Sequence, residues 1–153
     1  MPISASFRKQ IIDCFRTELA EHIQTLKDGL TTIELGSAQS EERAAVLHKI
    51  YRAAHTMKGA ARTVGATIVE QMARALESVL DAMEKGTLQP TQELFHACRQ
   101  TLEAIQVVQI TYENGEVTPP HQATQALMEL EELWNPRIAL QGINHDISQR
   151  QYS

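Results

Sequence analysis

The sequence predicts an all-α protein, an up-down antiparallel four-helix bundle with an additional C-terminal helix. Three observations carry this. Apolar residues recur at intervals of three and four along most of the chain, the period of one helix face. Leu, Ala, Glu, Gln and Met dominate and aromatic residues make up only 5%, which favours helix over strand. Short breaks rich in glycine or polar residues separate the periodic segments, so successive helices should fold back on one another.

The first helix is expected over residues 6–33, with Phe7, Ile11, Phe15, Leu19, Ile23, Leu26, Leu30 and Ile33 as its inward stripe. Gly36 breaks it. Ser40 is placed to cap the second helix, with Glu41 and Glu42 in the first turn facing the positive end of the helix dipole. Leu47, Ile50, Tyr51, Ala54, Met57, Ala61 and Val64 form the inward side of this helix, and Gly65 ends it. Thr67-Ile68-Val69-Glu70 has the pattern of a capping box opening the third helix. Met72, Ala73, Leu76, Val79, Leu80 and Met83 are its buried positions, and Gly86 its stop. Pro90 precedes the fourth helix, whose apolar face is Leu94, Cys98, Leu102, Ile105 and Val108. Asn114-Gly115 stops it, and Thr118-Pro119 opens a fifth helix carrying Ala123, Leu127, Leu130 and Trp134. Pro136 interrupts that pattern, and residues 137–153 keep only a weak one in Leu140, Ile143 and Ile147.

A chain of 153 residues with a 42% hydrophobic fraction has the size and composition of one domain with a continuous core. No apolar run approaches bilayer-spanning length, and the first residues do not read as a signal peptide. Cys14 and Cys98 lie inside helical patterns without metal-ligand spacing, which predicts buried free thiols and a cytoplasmic protein. The net charge of −5 argues against a nucleic-acid partner.

Against that acidic balance stands one basic cluster. On a helix, positions three, four and seven apart share a face, so Arg52, Lys58, Gly59 and Arg62 surround His55. An exposed helical glycine costs about 1 kcal/mol relative to alanine, so Gly59 needs a reason. Close approach of another molecule to the imidazole is one. Close packing of two helices is another, and with it an inert surface histidine. For a histidine carrying a phosphoryl group, three conditions follow: one ring nitrogen open to a partner, cations for the phosphoryl oxygens, and an acceptor holding the other nitrogen. Lys58 and Arg62, with Arg52, are candidates for the second, and Arg52 and Arg62 equally for partner contacts. Glu77, on the following antiparallel helix beside Ala73, Leu76 and Leu80, is the candidate for the third. His22, His48, His96, His121 and His145 lack such surroundings and read as structural or solvent-facing. His48 lies seven positions before His55 without a third ligand, a poor metal site. No glycine-rich nucleotide loop, Walker pattern or kinase loop is present, so the chain is expected to act as substrate and relay, with no ATP binding or independent catalysis.

The segment from His55 to Gly65, with lysine three positions and glycine four positions after the histidine and a second glycine ten after it, closely resembles the phosphorylation motif of histidine phosphotransfer domains. It is most similar to the N-terminal domain of chemotaxis-type histidine kinases, from the first helix to about Val108. Met57 stands where leucine is commoner, a mild core exchange. The resemblance implies an up-down bundle in residues 1–135, with residues 136–153 as an extension or the start of a linker. It implies that His55 accepts a phosphoryl group from ATP through a separate kinase domain and passes it to an aspartate of a response regulator. It further implies that Lys58 supports the phosphorylated state, that Gly59 leaves room for the partner, and that Glu77 hydrogen-bonds the imidazole. Mg²⁺ and ATP would come with the kinase, in the same polypeptide or in trans, and Mg²⁺ with the regulator. No metal or cofactor is expected in the chain itself, and no membrane partner. A monomer is expected, either as the N-terminal piece of a larger kinase, which the start at Met1 fits, or as a free-standing relay. The competing reading is a degenerate bundle that acts only as a protein-binding adaptor.

Overall fold

The computed structural model describes residues 4–36, 39–113 and 121–134. Among them are five helices and no strand: α1 (Ala5–Leu35), α2 (Ser40–Val64), α3 (Thr67–Glu84), α4 (Gln92–Glu113) and α5 (His121–Trp134). The neighbours of α1 are α2 and α4, those of α3 are α2 and α4, and the diagonal helices approach only through side chains in the core. That closed ring of four contacts is the four-helix bundle. The fifth helix packs on α3 and α4, so the seam between α2 and α3 stays uncovered by it. The expected break at Asn114-Gly115, the opening at Thr118-Pro119 and everything from Pro136 onward lie outside the described residues.

The core follows the helical period. Leu19, Ile23, Leu26 and Leu30 of α1 meet Ile50 and Met57 of α2, Met72, Leu76 and Leu80 of α3, and Leu102 and Ile105 of α4, all essentially without exposure. Each such side chain contributes about 1.5–3 kcal/mol on burial, which is how helices of ordinary propensity are held in one arrangement. Leu130 seals α5 to the bundle with Ala123 and Ala126, while Leu127 and Trp134 are partly buried. Thr101 is the buried polar side chain of this core, and its hydroxyl donates to the Ala97 carbonyl at 2.9 Å, so burial leaves it paired. Arg99 of α4 bridges to Glu34 of α1 at the bundle surface.

Several local expectations change. Phe7 is 52% exposed, Ile11 is half-buried and full burial on α1 begins at Phe15, because α1, at 31 residues, is the longest of the described helices and its first turns extend past the buried core. The cap of α1 is Ser4, whose Oγ accepts from the Phe7 amide at 3.2 Å. The cap of α2 is Gln39, not Ser40, which is already helical; Glu41 and Glu42 do occupy the first turn. The capping box at Thr67 does not form either, and Ala66 is the cap of α3. The reason is the tightness of the α2–α3 connection. Gly65 takes a left-handed conformation at φ 77°, its amide returns to the Arg62 carbonyl at 3.2 Å, and the Ala66 amide returns to the Ala61 carbonyl at 2.9 Å. This closing motif spends both connecting residues and puts the Ala66 methyl into the core, leaving no separate residue to cap with a side chain. Thr91, by contrast, does cap α4, accepting from the Leu94 amide at 3.1 Å.

The two cysteines part company. Cys98 is buried as expected, and burial pushes its thiol up to about 12. Cys14 is exposed, on the outer side of α1 one residue before Phe15.

Candidate phosphoryl-transfer site

The site lies on the uncovered α2–α3 seam. Ala54 and Met57 of α2 point into the core, which leaves His55, between them in sequence, at the border of the helix. Its side chain is 61% exposed, against 17% for Glu77 on α3. The two are joined by a hydrogen bond of 2.9 Å between His55 Nδ1 and Glu77 Oε2. A carboxylate only accepts, so this bond places the ring proton on Nδ1 and the lone pair on Nε2. The exposed ring thus has one nitrogen tied down and the other available.

Lys58, one turn after His55, turns to the same carboxylate. Its Nζ lies 3.1 Å from Glu77 Oε1 and 3.0 Å from Oε2. Glu77 is therefore held from two sides, by an ammonium and by an imidazole N–H, and both contacts fix the carboxylate that fixes the ring. The sequence makes Lys58 a candidate cation for the phosphoryl oxygens; in this structure its ammonium binds Glu77. Arg52 and Arg62 are exposed, with no hydrogen bond or ion pair among the described residues, and they border His55 from either end.

Gly59 is exposed, and a Cβ built on it would meet nothing within 4 Å. Helix packing therefore does not require this glycine. The glycine that packing does require is Gly29, where an added Cβ would collide with Ile50 Cγ2, and α1 crosses α2 closely at that point. Tyr51 is a member of the site that sequence reasoning used only as a core residue. Its ring stacks on His55, with centroids 6.3 Å apart and planes inclined by 20°. Its position four residues before His55 was the available signal, since that spacing puts the two rings on one face.

The Hpt domain family model matches residues 10–107, which span α1 to most of α4.

The chain belongs to the Hpt domain family.

Its general function is accordingly that of a phosphorelay domain. Among related proteins, the chemotaxis protein CheA of Bacillus subtilis is 32% identical over 108 residues, 70% of this chain and 16% of that one. The CheA of Listeria monocytogenes is 32% identical over 98 residues, 62% of this chain and 15% of that one. The CheA of Salmonella typhimurium is 33% identical over 70 residues, 46% of this chain and 10% of that one. The match to this Hpt chain thus spans less than a fifth of these relatives. Among the described residues no group of His, Cys, Asp and Glu is arranged to hold a metal ion, and no helix is long and apolar enough to cross a membrane.

Proposed function

We infer that His55 is the phospho-accepting residue, taking a phosphoryl group from ATP bound to a histidine kinase domain and delivering it to an aspartate on a response regulator receiver domain. The observation that carries this is the 2.9 Å bond from His55 Nδ1 to Glu77, on a ring whose side chain is mostly exposed.

In the forward step the Nε2 lone pair attacks the γ-phosphorus, the bond from phosphorus to the β,γ-bridging oxygen breaks, and ADP leaves with that electron pair. The ring keeps its Nδ1 proton and becomes cationic, and the Glu77 carboxylate lies beside the new charge. Lys58 keeps Glu77 in position, with its ammonium on both carboxylate oxygens. Transfer onward is the reverse substitution, with the aspartate oxygen as nucleophile and His55 Nε2 as leaving group. Mg²⁺ belongs to the partners' active sites, where phosphoryl transfer needs electrostatic clamping. Gly59 lets those sites close on the ring, and Arg52 and Arg62 supply cations at the rim of the contact.

The kinase domain would be part of the same polypeptide or act in trans, and the domain itself would be a cytoplasmic monomer that meets its regulator transiently. The test is incubation with the cognate kinase domain, Mg²⁺ and ATP, followed by mass-spectrometric location of acid-labile phosphate. Phosphate on His55, absent from His55→Gln and chased onto a receiver domain, is expected. An unlabelled His55 beside a kinase shown to be active would leave the bundle as an adaptor.

A further inference from the structure

The arrangement at His55 is repeated one heptad away. His48 lies seven positions before His55 on α2, and Glu84 seven positions after Glu77 on α3, the register that antiparallel neighbours keep. His48 Nδ1 is 3.2 Å from Glu84 Oε1, and the side chain is 57% exposed. Tyr51 stands between the two imidazoles. Its ring centroid is 6.4 Å from that of His48, with the planes inclined by 26°, and 6.3 Å from that of His55. Glu84 assigns the His48 proton to Nδ1, as Glu77 does for His55, and His48 Nε2 has no partner among the described residues.

Two differences separate the sites. The lysine next to Glu84 is not available to it, since Lys85 Nζ binds Asp81 Oδ2 at 2.8 Å. Four positions after His48 stands Arg52 where His55 has Gly59. A long side chain stands at the position that the glycine leaves open, which hinders a protein active site from closing on His48 as it can on His55. The same guanidinium offers hydrogen bonds to a small phosphoryl group.

We propose that His48 is a second phosphoryl-accepting imidazole, selective for compact phosphoramidate-type donors over ATP held in a kinase active site. The Nε2 lone pair attacks the phosphorus of the zwitterionic donor, the P–N bond breaks, and neutral ammonia leaves with that electron pair. The proton on Nδ1 stays, and Glu84 faces the resulting ring cation. The proposal rests on His48 and Glu84 and is independent of the role of His55.

The full chain is exposed to phosphoramidate near neutral pH, and phosphate on each histidine is followed in time by mass spectrometry. His96 and His121, both exposed and without a carboxylate partner among the described residues, are internal references for unassisted labelling. His48 is expected to label about tenfold faster than either, the scale of a supporting carboxylate, and Glu84→Gln to return it to the reference rate. Both side chains lie at the surface, so circular dichroism should show the helix content of Glu84→Gln unchanged. Labelling of His48 at the reference rate, or labelling indifferent to Glu84→Gln, overturns the proposal. Retention of His48 phosphate in His55→Gln is also expected; its loss would mean that the group arrives through His55 and would equally overturn direct acceptance. With kinase and MgATP, His48 should stay unlabelled, and phosphate there would overturn the stated donor selectivity.

Discussion

Lys58 and Glu77 form a two-point ion pair across the α2–α3 seam, with Nζ 3.1 Å from Oε1 and 3.0 Å from Oε2. The oxygen Oε2 is shared with His55 Nδ1. Lysine and histidine are thus coupled through one carboxylate although their side chains make no direct bond to each other.

Replacing Glu77 with Ala should accordingly slow phosphorylation of His55 about 10–100-fold, the usual effect of removing a group that orients a reactive imidazole. The pair is only partly buried, so the stability loss should be about 1 kcal/mol or less. Phosphorylation rates set beside a urea titration check both parts. Equal rates in variant and parent would reduce Glu77 to an ordinary surface carboxylate.

At Gly59 the two effects should run in opposite directions. Nothing lies within 4 Å of a built Cβ, so Gly59→Ala removes a helix-breaking residue and should raise stability by about 1 kcal/mol. Gly59→Leu should also keep its helix content and melting temperature, yet transfer to a receiver domain should fall steeply because the partner cannot close. Thermal melting monitored by circular dichroism and a stopped-flow transfer assay give the two readouts. Normal transfer in Gly59→Leu would remove close approach as the reason for the glycine.

Gly29 should behave in the contrary way. Its Cβ would collide with Ile50 Cγ2, a fully buried atom on a branched side chain with little rotameric freedom. Gly29→Ala should therefore cost about 1–3 kcal/mol despite its better helix propensity. A double-mutant cycle with Ile50→Ala should show coupling, the pair costing less than the two single changes together. Additive losses would place the strain elsewhere.

The thiols give a prediction in pH. Burial raises Cys98 from 9.0 to about 12, so between those values the unfolded chain loses a proton that the folded chain keeps. The folded state then binds more protons, and stability falls as pH rises through that window. This thiol's share of the loss is about 4 kcal/mol. The stability difference between parent and Cys98→Ala should shrink in the parent's disfavour from pH 9 upward. Near neutral pH a thiol reagent should label Cys14 rapidly and Cys98 only on unfolding. Equal labelling of the two in the native protein would contradict the burial.

The helices were legible because their signal is local. Eight apolar residues at helical spacing mark α1, and Gly36, Gly65 and Gly86 mark where three helices end. Caps were less legible, since Ser40 and Thr67 are good capping residues wherever they fall. What displaced them was the chain path, above all the two-residue connection at Gly65 and Ala66. Glu77 was found because it flanks the buried positions of α3. Glu84 flanks the same seam one heptad on, yet no motif around His48 points to it.

By itself the sequence determined five helices, their inward faces and the singular histidine at the edge of the second. These depend on the 3.6-residue period and on residue types within a turn or two. Only the tertiary structure decided that Lys58 turns to Glu77 and that α5 docks on α3 and α4, leaving the His55 seam open. It also decided that Gly29, and not Gly59, is where two helices need a missing side chain. Those outcomes depend on the volumes and register of residues far apart in the chain, which a helical pattern leaves free.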